Sequence, residues 1–266
     1  MNLSSLTSKT NNLSNPSDIS FLKKVSDKLN EKRNAILLSF PPDYIGYLFM
    51  NNFYKGNDFM SACKKITPFS MSLSLVEHCV HRGSKIVGGM AAFEYFEKSN
   101  PIVRAAASTA LVGSLELCLA SPFYRVATQA QVGILKPNNF KNVFSSKYEH
   151  FKGASAFALR GVFFTFPQKL SYQACETFYD KRLREMKPAE QIVTIASGVC
   201  GGTLGAAIPT WINSVASSKN LSLKESLAYL KTTPSAPFNS RALLVKFIAK
   251  VPAHIIQYST FLNAKN

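Results

Sequence analysis

The sequence predicts an all-α membrane protein. It reads as six transmembrane helices in three tandem two-helix repeats with pseudo-threefold symmetry, joined by short amphipathic helices. Three observations predict this. Long stretches carry very little charge, 102–122 and 190–210 most clearly. Strand signals are scarce, with no alternating runs separated by hairpin turns. Sequence markers also recur in one order along the chain, which is the signature of repeated units.

The recurrence is local and checkable. Lys55-Gly56-Asn57-Asp58-Phe59 is echoed by Lys136-Pro137-Asn138-Asn139-Phe140. The offset between them also carries Pro41 onto Pro122, and a slightly larger one carries Pro122 onto Pro209. Lys85 is followed by Phe93 and Phe96, and Lys250 at the same distances by Tyr258 and Phe261. The middle copy has Lys169 with Phe178-Tyr179-Asp180, one residue out of step.

Residues 1–19 are rich in Ser, Asn and Thr and are expected to form a disordered polar extension. The repeats then fall at 20–98, 101–183 and 189–266. Spans are expected at about 20–53, 77–98, 101–135, 156–183, 189–217 and 241–263, with amphipathic connectors near 59–72, 139–151 and 221–231. In the first span Pro41-Pro42 interrupts a helical pattern, where proline removes a hydrogen bond and kinks the helix. Pro122 and Pro209 do the same in the third and fifth. Ala, Ser, Thr and Gly fill those two spans, as in membrane helices whose backbones approach closely. Gly198-x-x-x-Gly202 and Gly201-x-x-x-Gly205 are expected packing seams.

The even spans carry the chemistry. Lys85, Lys169 and Lys250 each sit near the middle of one. A lysine at bilayer depth costs about 3 kcal/mol to insert, so it is retained mainly where it faces a partner or a watery cavity. Three on repeat-related helices predict a ring of ammonium groups that attracts an anion and repels cations. Arg82 and Lys246 are supporting charges. Tyr172, three residues past Lys169 on the same face, is placed to stack on a planar base. Glu116 and Arg104 lie in the third span, where an intramembrane charge is a functional candidate or a partner for a cavity lysine.

Composition limits the partners. The net charge of +16 fits nucleic acid, an anionic membrane surface or an anionic solute. The basic clusters Lys23-Lys24, Lys32-Arg33, Lys181-Arg182 and Arg184 mostly flank apolar stretches, which suits anionic, cardiolipin-like phospholipid headgroups at helix ends. No zinc-finger, aromatic RNA-binding or helix-turn-helix pattern accompanies them, so nucleic acid is not an expected partner. Cys63, Cys79, Cys118, Cys175 and Cys200 show no Cys-x-x-Cys spacing and read as reduced, mostly buried small residues. His78, His81, His150 and His254 lack metal-ligand spacing and read as core or rim residues. No nucleophile elbow, phosphate-cradling loop or Cys/His dyad is present, so neither an enzyme nor a cofactor or metal is expected. The opening residues lack the pattern of a secretory signal and the arginines of a transit peptide.

These features together resemble the mitochondrial carrier family. Its hallmark is three two-helix repeats, with Pro-x-[Asp/Glu]-x-x-[Lys/Arg] kinking each odd helix and an aromatic-basic-Gly step opening each even one. Pro41-Pro42-Asp43 keeps the proline and the acid, whereas Pro122 and Pro209 keep only the proline. Lys152-Gly153 and Leu159-Arg160-Gly161 match the second step, and Ser240-Arg241-Ala242 does so more loosely. Val251-Pro252 matches a proline common in the last even helix, and Phe96-Glu97 and Tyr179-Asp180 match the endings of even helices. Phe261 with Lys265 is a degraded third copy of that ending.

The resemblance implies alternating-access transport of an anionic metabolite by a monomer in the mitochondrial inner membrane. It also admits a bacterial protein delivered to host mitochondria. It carries substrate contact onto Ser84-Lys85, Gln168-Lys169 and Ala249-Lys250, about 12 Å into the even helices. Adenine nucleotide (ATP/ADP) antiport is the first substrate expectation, from the lysines and Tyr172. Gln168-Lys169 departs from the Gly-aliphatic pair usual in nucleotide carriers, which leaves carboxylates and phosphate open. A non-transporting scaffold that inherited the fold is the further alternative. One gate is expected to keep the charges Glu97, Asp180 and Lys265. The other has Gly46, Ala127 and Ser214 where the family places bases, so it is expected to close through the aromatics Tyr44, Tyr124 and Trp211. Gln129 occupies the place of a bracing glutamine.

Overall fold

The computed structural model describes residues 16–96, 98–144 and 185–259, with a few isolated positions between 154 and 166. Among them every regular element is helical. The chain runs α1 (Pro16–Leu38), α2 (Phe40–Tyr54), α3 (Phe59–Lys65), α4 (Pro68–Tyr95) and α5 (Pro101–Leu115). A π-turn at Glu116–Ala120 leads into α6 (Ser121–Gln131), followed by a 3₁₀ helix at Pro137–Phe144. Then come α7 (Pro188–Gly205), α8 (Ala207–Lys219), α9 (Leu223–Thr232), a short 3₁₀ turn and α10 (Ser240–Tyr258).

Each of the three prolines stands just inside a restarted helix. α1 breaks at Ser39, and Pro41 and Pro42 open α2. Pro122 opens α6 directly after the π-turn, whose extra residue per turn absorbs the bond that proline cannot make. α7 and α8 meet at Ala206 with a bend of 55°, and Pro209 lies just beyond. The Asn/Asp of the echoed Lys-x-Asn-[Asp/Asn]-Phe sequence acts as a cap. Asp58 accepts the Ser61 backbone N–H at the start of α3, and Asn139 accepts that of Lys136 beside Pro137.

One boundary differs from expectation. α4 begins at Pro68, not near 77, and the connector before it shrinks to α3. Thr67 and Ser70 form a capping box, and Pro68 at the first helical position has no N–H to leave unpaired. The expected fourth span, the basic cluster at 181–184 and most of the 139–151 connector lie outside the described residues.

α2 packs along α10, and α10 also packs on α7. α4 packs against α1, α5 and α6, while α8 meets α6 and, more lightly, α2. The approach of α2 to α10 is tight at one point, where a Cβ on Gly46 would overlap that of Ala249. Tyr47, Met50, Phe53, Tyr124, Trp211, Ile212 and Val215 form the largest core cluster. Of the two glycine seams, Gly198 and Gly202 are buried, whereas Gly201 faces open space.

The helix Ile102–Gln131 is long and apolar enough to cross a membrane, and the bent pair Pro188–Gly205 with Ala207–Lys219 meets the same criterion jointly. Some acids are buried while some large aliphatic side chains face outward. Glu77 and Glu116 are each 1% exposed, whereas Leu38 is 66% and Ile248 64% exposed. The cysteines correct an expectation: Cys63, Cys79 and Cys118 are exposed and Cys200 is half-buried, each on a helix face turned outward. Cys175 lies outside the described residues.

Candidate functional site

Three helices bring charged side chains to one small cavity, and a fourth adds a hydroxyl. α2 supplies Asp43, Gly46, Tyr47 and Met50, and α4 supplies His78, His81 and Lys85. α8 adds Thr210, and α10 adds Lys246, Ala249 and Lys250. Of the three central lysines, Lys85 and Lys250 share this cavity, although Lys85 sits much deeper in its helix than Lys250 does. Lys169, Gln168 and Tyr172 lie outside the described residues.

Two of the lysines reach carboxylates, one lining the pocket and one behind it. Lys250 Nζ lies 2.9 Å from Asp43 Oδ1. Lys85 Nζ lies 3.8 Å from Glu116 Oε1, on the π-turn. Lys246 is buried and donates to Thr210 Oγ1 at 3.1 Å. Arg82 stands behind the cavity and does not line it. Its guanidinium donates to the Ser39 carbonyl (2.9 Å), the Ser39 hydroxyl and Gln257 Oε1 (3.1 Å), and lies 3.7 Å from Asp43. Arg82 thus holds the α1–α2 break, because Ser39 is the residue at which the helix restarts. Ser84 is buried and donates to the Val80 carbonyl of its own helix.

Both histidines of α4 belong to this site, which spacing alone did not show. His78 Nε2 lies 3.5 Å from Asp43 Oδ2, and its ring sits among those of Phe40, Tyr44 and Tyr47. His81 Nδ1 lies 3.1 Å from Glu116 Oε1. Their i, i+3 relation puts both on the cavity side of α4. His254 approaches the Lys250 carbonyl one turn back on α10, at 2.7 Å. Arg104 turns away from the cavity and donates to the Phe96 carbonyl at 3.2 Å.

Beyond Met50 the three proline-restarted helices are tied by neutral hydrogen bonds. Asn51 donates to Gln131 Oε1 at 2.6 Å and to Thr128 Oγ1 at 3.4 Å. Its carbonyl oxygen accepts from Ser214 Oγ at 2.8 Å and from Tyr124 Oη at 3.1 Å. Gln131 in turn donates to Ser74 on α4, and Asn52 donates to the Gln131 carbonyl. All these groups are buried. The aromatics expected at this level are present but unequal. Tyr124 joins the network, Trp211 stacks on Tyr229 of α9, and Tyr44 donates to the Met71 carbonyl. Gln129 donates to the Ser217 carbonyl at 3.2 Å and so joins α6 to α8.

Gly46, Ala127 and Ser214, which stand where the resemblance leads one to expect bases, each have a local reason. Gly46 is where α2 meets Ala249, leaving no room for a long side chain. Ala127 is fully buried, and Ser214 donates to Asn51. Asp43 pairs with Lys250 of α10. At the other gate, Glu97, Asp180 and Lys265 lie outside the described residues. Among the described residues no cluster of three or more metal-ligating side chains occurs. Compared with known protein families, curated proteins and solved structures, the chain matches none.

Proposed function

We propose that this chain is an integral membrane transporter that moves an anionic metabolite by alternating access. One observation carries the reading: charge and hydroxyl groups converge inside the bundle while aliphatic side chains face outward. Glu77, His78, Arg82, Glu116 and Lys246 are buried, and Leu37, Leu38, Val193, Leu244 and Ile248 are widely exposed. Apolar outer faces on this scale suit lipid. Ionisable groups inside such a bundle mark solute pathways.

The proposed architecture is six spans in three repeats. The packing order α7–α10–α2–α4–α5 supports it, as do the restarts at Pro41, Pro122 and Pro209. Lys85 on α4 and Lys246 and Lys250 on α10 turn toward the cavity. Exposed Lys23, Lys24 and Arg33 suit contact with anionic phospholipid. The inner mitochondrial membrane is the location that the family resemblance suggests.

Lys85, Lys246 and Lys250 would anchor the substrate, with Arg82 and Lys246 reinforcing the field. The Asn51 network would close one end of the path, and its release would let the cavity face the other side. Adenine nucleotide stays a candidate through Tyr172. A carboxylate or phosphate is favoured by the described pocket, because the groups already seated on Lys250 and Lys85 are the carboxylates of Asp43 and Glu116.

Uptake by proteoliposomes tests the proposal, using labelled ATP, malate and phosphate with Lys250→Ala as control. Uptake of at least one anion, lost in the variant, is expected. Uptake of none would favour a non-transporting scaffold, and uptake unaffected by the substitution would remove the site.

A further inference from the structure

Lys85 and Lys250 each share a carboxylate with a histidine. Asp43 lies between Lys250 (2.9 Å) and His78 (3.5 Å). Glu116 lies between His81 (3.1 Å) and Lys85 (3.8 Å), both through the same oxygen. An anion that reaches either lysine must take over contacts which the protein's own acids hold. The displaced acid then stays in a buried site with its compensating charge withdrawn, which is strongly unfavourable.

A proton on the neighbouring imidazole restores that compensation. Histidine is the side chain whose charge changes near neutral pH, and both rings already face the acids concerned. The two pairs are not equivalent. Asp43 keeps Arg82 at 3.7 Å when Lys250 leaves, and His78 is walled by aromatic rings. The His81 side chain is the more open of the two, 12% exposed against 3%. Among the described residues, Asp43 on α2, His78 and Lys85 on α4, and Lys246 and Lys250 on α10 line the same pocket as His81, and Glu77 and Arg82 flank it on α4. Arg104 and Arg125 are the other buried charges of α5 and α6.

We infer that the His81–Glu116 pair takes up a proton when an anion binds at the lysines, so that the chain carries a proton together with its anion. This rests on the transport reading above and adds a second cargo to it. The proton comes from the aqueous phase on the side where the anion enters. It resides on the imidazole beside the Glu116 carboxylate during passage and is released when the anion leaves and Lys85 returns.

The test uses the full chain in proteoliposomes enclosing a pH-sensitive dye, with labelled phosphate, malate and ATP as probes. For one proton per anion, an acid-outside gradient of one unit should raise accumulation about tenfold over symmetric pH. Anion entry should also acidify the lumen. Glu116→Gln and His81→Gln should each bring the acid-to-symmetric ratio to about one, with folding followed by gel filtration and circular dichroism. Wild-type uptake that ignores the gradient and leaves the lumen pH unchanged would overturn the inference while leaving anion transport standing. Absence of uptake of all three anions would remove both. A folded variant that kept the full ratio would overturn the assignment of the proton to this pair.

Discussion

Lys250 on α10 holds the carboxylate of Asp43 on α2 at 2.9 Å, joining residues 207 positions apart in sequence. The pair spans a close helix approach, where Gly46 meets Ala249. It thereby ties a pocket lysine to the acid that follows Pro41 and Pro42.

Removing one member should cost more than removing both. Lys250→Ala leaves Asp43 buried beside His78 and Arg82, and a loss of about 3 kcal/mol in unfolding free energy is expected. The double variant Asp43→Asn, Lys250→Ala should recover about 1–3 kcal/mol of that sum. Thermal unfolding of the four proteins in one detergent measures the cycle. Additive losses would mean that the two side chains do not interact.

Asn51 is the junction of the neutral network, with partners on α6 and α8. Asn51→Ala strips the hydrogen bonds of Gln131 and Ser214 at once, so about 2–3 kcal/mol of stability should be lost. The closed end should also loosen. Efflux of a trapped labelled anion from proteoliposomes without a counter-substrate should rise several-fold, an order-of-magnitude expectation from the same loss. Unchanged efflux with lowered stability would make the network structural only.

The Gly46–Ala249 contact predicts a compensating pair. Gly46→Ala should destabilise the chain by about 1–3 kcal/mol through overlap with Ala249. Ala249→Gly in the same chain should restore most of it. Thermal unfolding of both variants checks this, and a Gly46→Lys change should be worse than Gly46→Ala.

Asp58 gives a pH dependence outside the spans. The Ser61 backbone N–H donates to its carboxylate at 2.7 Å, and this bond holds the Asp58 carboxyl below its usual range. A lowered folded value means that the cap contributes fully above the unfolded value of about 4 and is lost as pH falls through the folded one. Hydrogen-exchange protection of α3 should therefore drop in acid relative to an Asp58→Asn chain, whose amide caps without titrating. Equal pH profiles in the two proteins would contradict the cap.

What was legible in the sequence was what local chemistry dictates. Proline lacks an N–H wherever it stands, so the restarts near Pro41, Pro122 and Pro209 were readable one by one. The cost of a buried lysine pointed to Lys85 and Lys250, and both line the cavity. Their partners were not readable, because pairs such as Asp43–Lys250 or Lys85–Glu116 depend on how helices face one another. His78 and His81 were passed over for lacking metal spacing, although their i, i+3 relation on a helix with Lys85 was a usable signal. The Asn51 network had none, since neutral amides and hydroxyls occur at no fixed distance from the prolines. The start of α4 was missed because its capping box ends in Ser70 where Glu or Gln is usual.

The central claim is that Lys85 and Lys250 face one water-filled cavity that an anion occupies. Lys85→Cys and Lys250→Cys, each in a chain whose native cysteines are replaced, can be exposed in proteoliposomes to a membrane-impermeant thiol reagent. Both positions should react, and phosphate, malate or ATP should slow both reactions in parallel. A residue that never reacts, or two that react at rates no anion alters, would contradict it.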